Sequence, residues 1–248
     1  MRIALVLAAL ALALAVGLPL ALLLAALAGD PGALATLVEP RSIESLVNTV
    51  VLAVGTTALA VSLGVPLGVL VARTDLPGVR WLSALALVPY VVPPYVTAIA
   101  WIALANPTNG WVNLGLRALG LPVVDVYTLG GMIWVLGLES APVVMLATID
   151  ALGRIDASLE EQARVSGAGP LGVLRRVTLP LVAPAVAVSA SFVFAGAAAA
   201  FGVPYLLATG SADPSFVLTT RIAQALDLDP STGRPAAIAA SLVLVAVS

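Results

Sequence analysis

Long uninterrupted apolar runs restrict this chain more than any other feature. About 20 apolar residues, rising about 1.5 Å each as a helix, are needed to cross a hydrocarbon layer about 30 Å thick. Runs of that kind occupy residues 3–28, 46–72, 81–104, 129–152 and 181–207, with a shorter sixth at 236–248. In lipid the backbone must satisfy its own hydrogen bonds, so such runs fold as helices and pack into a bundle. The expected fold is therefore all-α, a polytopic transmembrane helical bundle of about six spans, the sixth truncated where the sequence stops. Residues 1–40 are expected to form an N-terminal transmembrane helix and outer loop, and residues 41–248 a membrane core with a cytoplasmic loop at 153–180.

Composition agrees: 61% of the residues are hydrophobic and 10% charged, against roughly 45–50% and about 25% in soluble domains. Several chemistries are excluded outright. There is no Cys or His, and all 11 basic residues are Arg. Lacking Lys, the chain can build neither an ordinary P-loop nor a Schiff base. Lacking His and Cys, it has no Ser-His-Asp or Cys-His site, no thiol redox couple and no conventional zinc or haem ligands. No catalytic, cofactor-binding or metal site is expected in this chain. The net charge of -2 provides no basic field for nucleic acid.

Arginine placement sets the expected orientation, since short Arg-rich loops stay cytoplasmic. Arg2, Arg73, Arg80, Arg154, Arg164, Arg175 and Arg176 fall on one side. Arg41, Arg117, Arg221 and Arg234 fall on the other, together with Asp30, Glu39, Glu44, Asp125, Asp213, Asp227 and Asp229. The N-terminus and the 153–180 loop are thus assigned to the cytoplasm. The first apolar run begins with Arg2 and ends near a small-residue stretch, as a signal peptide does, but it is much longer than the usual 7–15 apolar residues and is expected to be retained. The 73–80 turn is tight, and the outer loops at 105–128 and 206–235 are long enough for short helices at 111–119 and 217–226.

Within the apolar runs, Glu139 is the residue whose burial is most costly, and it is a candidate for the solute pathway or for a hydrogen-bonded place in the bundle. Pro89, Pro93 and Pro94 must disturb the third helix. Tyr90 and Tyr95 flank that break, so Tyr90, Pro93, Pro94, Tyr95 and Glu139 make a candidate substrate pathway. Gly55, Gly64 and Gly68 are expected to let the second span pack closely.

The polar island at 158–180 stands out against this background. Ser158 and Glu161 have capping-box spacing, which predicts a helix from Leu159. Leu159, Ala163 and Ser166 then share one face, and Glu160 pairs with Arg164 on another. Gly167 can take the left-handed conformation that closes a helix. A second short helix is expected to start at Pro170, carry Arg175 and Arg176 toward water or headgroups, and stop before Pro180.

Glu161, Ala163, Gly167, Leu179 and Pro180 fall in register with the Glu-Ala-Ala loop of ABC importer permeases, with Val177 in place of Ile and Gln162 in place of the first Ala. The chain therefore resembles the inner-membrane permeases of binding-protein-dependent, type I ABC importers. Asn48-Thr49, the 72–78 turn, Pro89-Tyr90 with Pro93-Pro94-Tyr95, and Phe201-Gly202-Val203-Pro204 resemble the ferric-iron permeases in particular, with polyamine and thiamine permeases close to them. The resemblance implies that Leu159, Glu160, Glu161, Ala163, Arg164, Gly167, Leu179 and Pro180 form the coupling helix region that meets a cytoplasmic ATPase, which would hold the ATP and Mg. It further implies an extracytoplasmic solute-binding protein, a second permease unit (this chain being the first unit of a fused pair), membrane lipid as surroundings, a location in the bacterial inner membrane, and ferric iron as solute. Two other readings remain: an ion-gradient carrier using Glu139 and, ranked lowest, an intramembrane enzyme.

Overall fold

The computed structural model describes residues 2–29, 32–75, 77–211, 214–227 and 230–248. Asp30, Asp213 and Asp229, counted above for the outer side, and Leu76 of the 73–80 turn lie outside the described residues. Every regular element among those described is helical. The chain divides into two compact units, one made of residues 1–48 and 216–247 and the other centred on residues 49–215.

In the first unit, α1 (Arg2–Ala28), α2 (Gly32–Ala35) with the 3-10 turn Thr36–Val38, and the start of α3 (Pro40–Arg73) join α12 (Leu218–Asp227) and α13 (Pro230–Val247). Helix α13 packs against α1, α2 and α12. Arg221 lies 3.7 Å from Glu39, and the Asn48 amide donates to the Phe216 carbonyl at 3.0 Å.

The second unit carries the remainder of α3, then α4 (Val79–Val91), α5 (Pro94–Ala105), α6 (Trp111–Ala118), α7 (Leu129–Arg154), α8 (Ala157–Val165), α9 (Pro170–Val173), a π segment (Leu174–Thr178), α10 (Leu179–Ala198) and α11 (Gly202–Thr209). Its centre is a seam between α3 and α7. A Cβ on Gly64 would stand 2.6 Å from the Ala141 carbonyl oxygen, and one on Gly68 would stand 2.7 Å from the Thr148 Cβ. Only glycine permits that approach, as expected for close membrane-helix packing. The contacts advance in the same direction along both helices, so α3 and α7 run parallel. Ala60, Val144 and Val193 form the adjoining core, which brings in α10.

Among the described residues three helices are long and apolar enough to cross a membrane: Pro40–Arg73, Leu129–Arg154 and Pro170–Ala198. The third apolar run is helical in two pieces bent by 105° at the proline break, and it counts as a fourth span if taken together. Shorter apolar helices occupy Ala13–Ala28 and Gly233–Val247. All six apolar runs are thus helical, and the loops at 105–128 and 206–235 hold α6 and α12 as expected.

Two boundaries differ from the sequence reading. Pro180 does not stop the helix that begins at Pro170, because Pro170–Ala198 is continuous. The Leu179 N–H donates five residues back to the Leu174 carbonyl, and this widened turn accommodates a proline that would clash with an ordinary α turn. The 181–207 run is likewise not one helix. It ends at Ala198 and resumes as α11 at Gly202, where the Tyr95 ring lies so close that a Cβ would be 2.8 Å from its Cε2. Alanine favours helix, so packing of α11 against α5, rather than local propensity, accounts for the break.

Candidate functional site

The polar island folds as a helical hairpin at one end of the second unit. Its first helix starts two residues earlier than the capping-box reading predicts. Asp156 is the N-cap, its carboxylate accepting the Ser158 N–H at 2.9 Å, and the helix begins at Ala157. Aspartate is at least as good a cap as serine, so the earlier position wins. The bonds from Ser158 hold the fully exposed Asp156 carboxyl below its ordinary value of 3.8.

The end of α8 follows from Gly167, whose φ is +87°. The Gly167 N–H donates to the Arg164 carbonyl at 2.9 Å and the Ala168 N–H to the Ala163 carbonyl at 3.0 Å. These two bonds form a Schellman cap, which needs a left-handed residue at Gly167. The chain then reverses into α9, whose first residue is Pro170.

One face of α8 is buried and the other open. Leu159 is 43% exposed, and Glu161, Arg164, Val165 and Gly167 are also exposed, whereas Ala163 is half-buried. Leu179 is half-buried and Pro180 exposed at the start of α10. Glu160 points inward and is only 6% exposed. Its Oε1 accepts from Arg73 Nε at 3.1 Å and from the Thr178 hydroxyl at 3.0 Å. The same Arg73 donates through Nη2 to the Leu152 carbonyl at 3.1 Å. Glu160 also pairs with Arg164, as its spacing predicts, but at 3.9 Å and with Arg164 exposed, so this contact is weak.

The cluster of Arg73, Glu160 and Thr178 was not visible as a unit in the sequence, because its members lie 87 and 18 residues from one another. A basic residue at the foot of one apolar run and an acid in the first turn of the island were the available signals.

At the opposite end of this unit a different polar centre holds the 105–128 loop. Asn113 of α6 is fully buried. Its amide donates to the carbonyls of Ala105, Asn106 and Val124, and its Oδ1 accepts the Val124 N–H. Beside it, the Asn106 amide donates to the Tyr127 hydroxyl at 2.9 Å. An open polar hollow borders these groups, lined by Thr108, Asp125, Thr128 and Ser215 among others.

The pathway candidates are placed but not joined. Tyr90, Pro93, Pro94 and Tyr95 are exposed around the α4–α5 bend, with Tyr95 seated on Gly202. Glu139 lies mid-way along α7, and its Oε2 is buried without a hydrogen-bond partner among the described residues. Those residues also contain no group of three acidic side chains able to hold a metal ion.

Residues 64–248 match the family model for the binding-protein-dependent transport system inner membrane component. The chain belongs to this family. It is 31% identical over 222 residues to a probable molybdenum ABC transporter permease of Haloferax volcanii, covering 89% of this chain and 77% of that one. It is also 31% identical over 214 residues to the molybdenum transport system permease ModB of Mycobacterium tuberculosis, covering 86% and 78%. The molybdate/tungstate permease WtpB of Thermococcus kodakarensis is 31% identical over 173 residues, covering 70% of this chain and 64% of that one. A solved bacterial alginate ABC transporter, in complex with its alginate-bound periplasmic protein, has a chain that superposes with a TM-score of 0.77 at 19% identity, covering 99% of this permease and 90% of the other chain. That likeness shows the fold, a type I ABC importer permease bundle. The three sequence relatives are named for molybdenum or molybdate/tungstate, and none of them supports the ferric-iron expectation.

Proposed function

We propose that this permease is the membrane-spanning subunit of an ATP-driven importer that takes molybdate, tungstate or a similar tetrahedral oxyanion from an extracytoplasmic binding protein. Relatives 31% identical over most of the chain support the oxyanion. The observation that carries the coupling role is the α8–α9 hairpin, closed by left-handed Gly167 and presenting Leu159, Glu161 and Arg164 outward. On this reading a cytoplasmic ATPase binds that face and holds the ATP and Mg, while the permease itself performs no catalysis. The N-terminus and the hairpin are cytoplasmic, and the permease works with a second unit, fused or separate, in the plasma membrane. Rocking of the paired units opens the pathway alternately to each side.

The α3–α7 geometry supports placing the 73–80 turn and the hairpin on one side: the helices are parallel, and Arg73 reaches Glu160 and Leu152 directly. Tyr90, Tyr95 and Glu139 remain the pathway candidates. A carboxylate facing an oxyanion repels it, so Glu139 serves an anion pathway only as a protonated hydrogen-bond donor.

The test is ATP hydrolysis by the complex purified with its ATPase and binding protein, offered molybdate, tungstate, sulfate and ferric ion in turn. Stimulation by one or more of the oxyanions and not by ferric ion is expected, and stimulation by ferric ion alone, equally by all, or by none contradicts the substrate. A second reading rests on the unpartnered Glu139 oxygen. In that reading the chain is an ion-gradient carrier, and uptake follows an imposed proton or sodium gradient with no ATPase present.

A further inference from the structure

Glu160 and Glu161 are adjacent acids with opposite surroundings. Glu161 faces out from α8, while Glu160 is 6% exposed and engaged on its Oε1 by two donors from different elements. A buried carboxylate is costly unless paired, and removing its partners leaves the charge stranded. The pairing here is made between elements that the family motif does not name. Arg73 is the last residue of α3, Leu152 belongs to the final turn of α7, and Thr178 closes the π segment that leads into α10. Through Arg73 and Thr178, Glu160 is therefore tied to three membrane helices at once.

The π segment contributes to the same arrangement. It carries the helix past Pro180 without a break, and within it Thr178 is 3% exposed and donates to Glu160. Single π turns inside α-helices recur at functional positions. A straight α turn would rotate Thr178 to another side of the helix.

We propose that Glu160 is the positioning residue of the hairpin, locking α8 to the feet of α3, α7 and α10 so that force applied to the exposed face of α8 moves these helices as one body. The inference rests on the coupling role argued above and assigns the transmission to an acid outside the family's five motif positions. Glu161 and its exposed neighbours meet the partner, and Glu160 carries the displacement inward.

The experiment uses the full importer reconstituted with its ATPase and binding protein, with molybdate as the probe solute. It compares Glu160→Ala, Glu160→Gln and Thr178→Val. Hydrogen exchange across 157–168 and solute moved per ATP hydrolysed are read together. Losing the bonds to Oε1 should raise exchange about tenfold and lower transport per ATP about tenfold in Glu160→Ala, with ATP hydrolysis continuing. Glutamine keeps an acceptor at Oε1, so Glu160→Gln should stay within about threefold of the parent on both readouts. Thr178→Val, which deletes one donor at constant shape, should fall between.

A merely structural role would lower ATP hydrolysis and transport together and leave their ratio unchanged, which overturns the proposal. Parent-like exchange and ratio in Glu160→Ala overturn it too. Where Glu160→Ala fails to assemble, Thr178→Val decides: a changed ratio supports the inference and an unchanged one removes it. A parent complex whose transport ignores ATP would instead sink the importer reading itself.

Discussion

The two ends of the second unit bury polar groups by contrasting means. At the hairpin end a carboxylate and a guanidinium tie together pieces of four elements. At the opposite end a single neutral amide, Asn113, closes a loop by bonding backbone at 105, 106 and 124. A neutral amide with its hydrogen bonds made fixes one backbone conformation at little desolvation cost. An ion pair is costlier to bury, and here its members come from helices far apart in the chain, so it ties separate elements together. The contrast teaches that the loop end is closed within one segment, whereas the hairpin end is joined across several helices, as the proposed coupling requires.

The largest effect should come from breaking the seam that connects the ends. Gly64→Leu places a side chain where even a Cβ would be 2.6 Å from the Ala141 carbonyl. Overpacking costs about 1–3 kcal/mol or more, so thermal unfolding in detergent should drop steeply and transport at both ends should be lost. Asn113→Ala comes next. It strands buried carbonyls and an N–H, at about 1–3 kcal/mol. If the loop end is a static closure, the melting temperature falls while transport per ATP in the surviving protein is unchanged.

Gly167→Asp sharpens the other side of the contrast. An L-residue at a φ of +87° costs about 1–2 kcal/mol. The Schellman cap should loosen and transport per ATP should fall several-fold, with insertion retained and the melting temperature lowered less than in Asn113→Ala. Asp156 offers a pH handle at the start of the same helix. Its folded-state carboxyl is held below the ordinary 3.8, so its contribution is complete above that value and disappears as pH falls through the lowered one. Amide exchange at the α8 N-terminus should rise only in that acid range, and Asp156→Asn, which keeps a capping oxygen, should flatten the response. Smallest of all is Arg164→Ala: the side chain is 63% exposed and 3.9 Å from Glu160, so stability should change by less than about 0.5 kcal/mol.

Much of this was legible in the chain itself. Apolar length gave the six helical segments, Gly64 and Gly68 announced a close seam, and Gly167 with the motif positions marked the hairpin. What escaped was set by packing at a distance. The helix through Pro180 survives because a π turn opens locally, which no spacing rule anticipates. The break after Ala198 reflects Tyr95 resting on Gly202, a contact 107 residues away in sequence. Glu160 was read as the partner of Arg164 four residues on, since helical spacing displays neighbours in the chain and hides Arg73 and Thr178. Substrate was not legible either: short motif fragments resemble ferric-iron permeases, while relatives matching 89% and 86% of the chain are named for molybdenum.

The most direct test exploits the absence of cysteine from these 248 residues. A single thiol at exposed Gln162 on α8 and another at Leu119, 74% exposed at the opposite end, can be probed in intact membranes with a thiol-to-amine cross-linker. The account predicts that Gln162→Cys cross-links to a P-loop ATPase and is shielded from reagents added outside the cell, whereas Leu119→Cys is labelled from outside and captures no ATPase. Labelling of Gln162→Cys from outside, with no ATPase cross-linked, would contradict it.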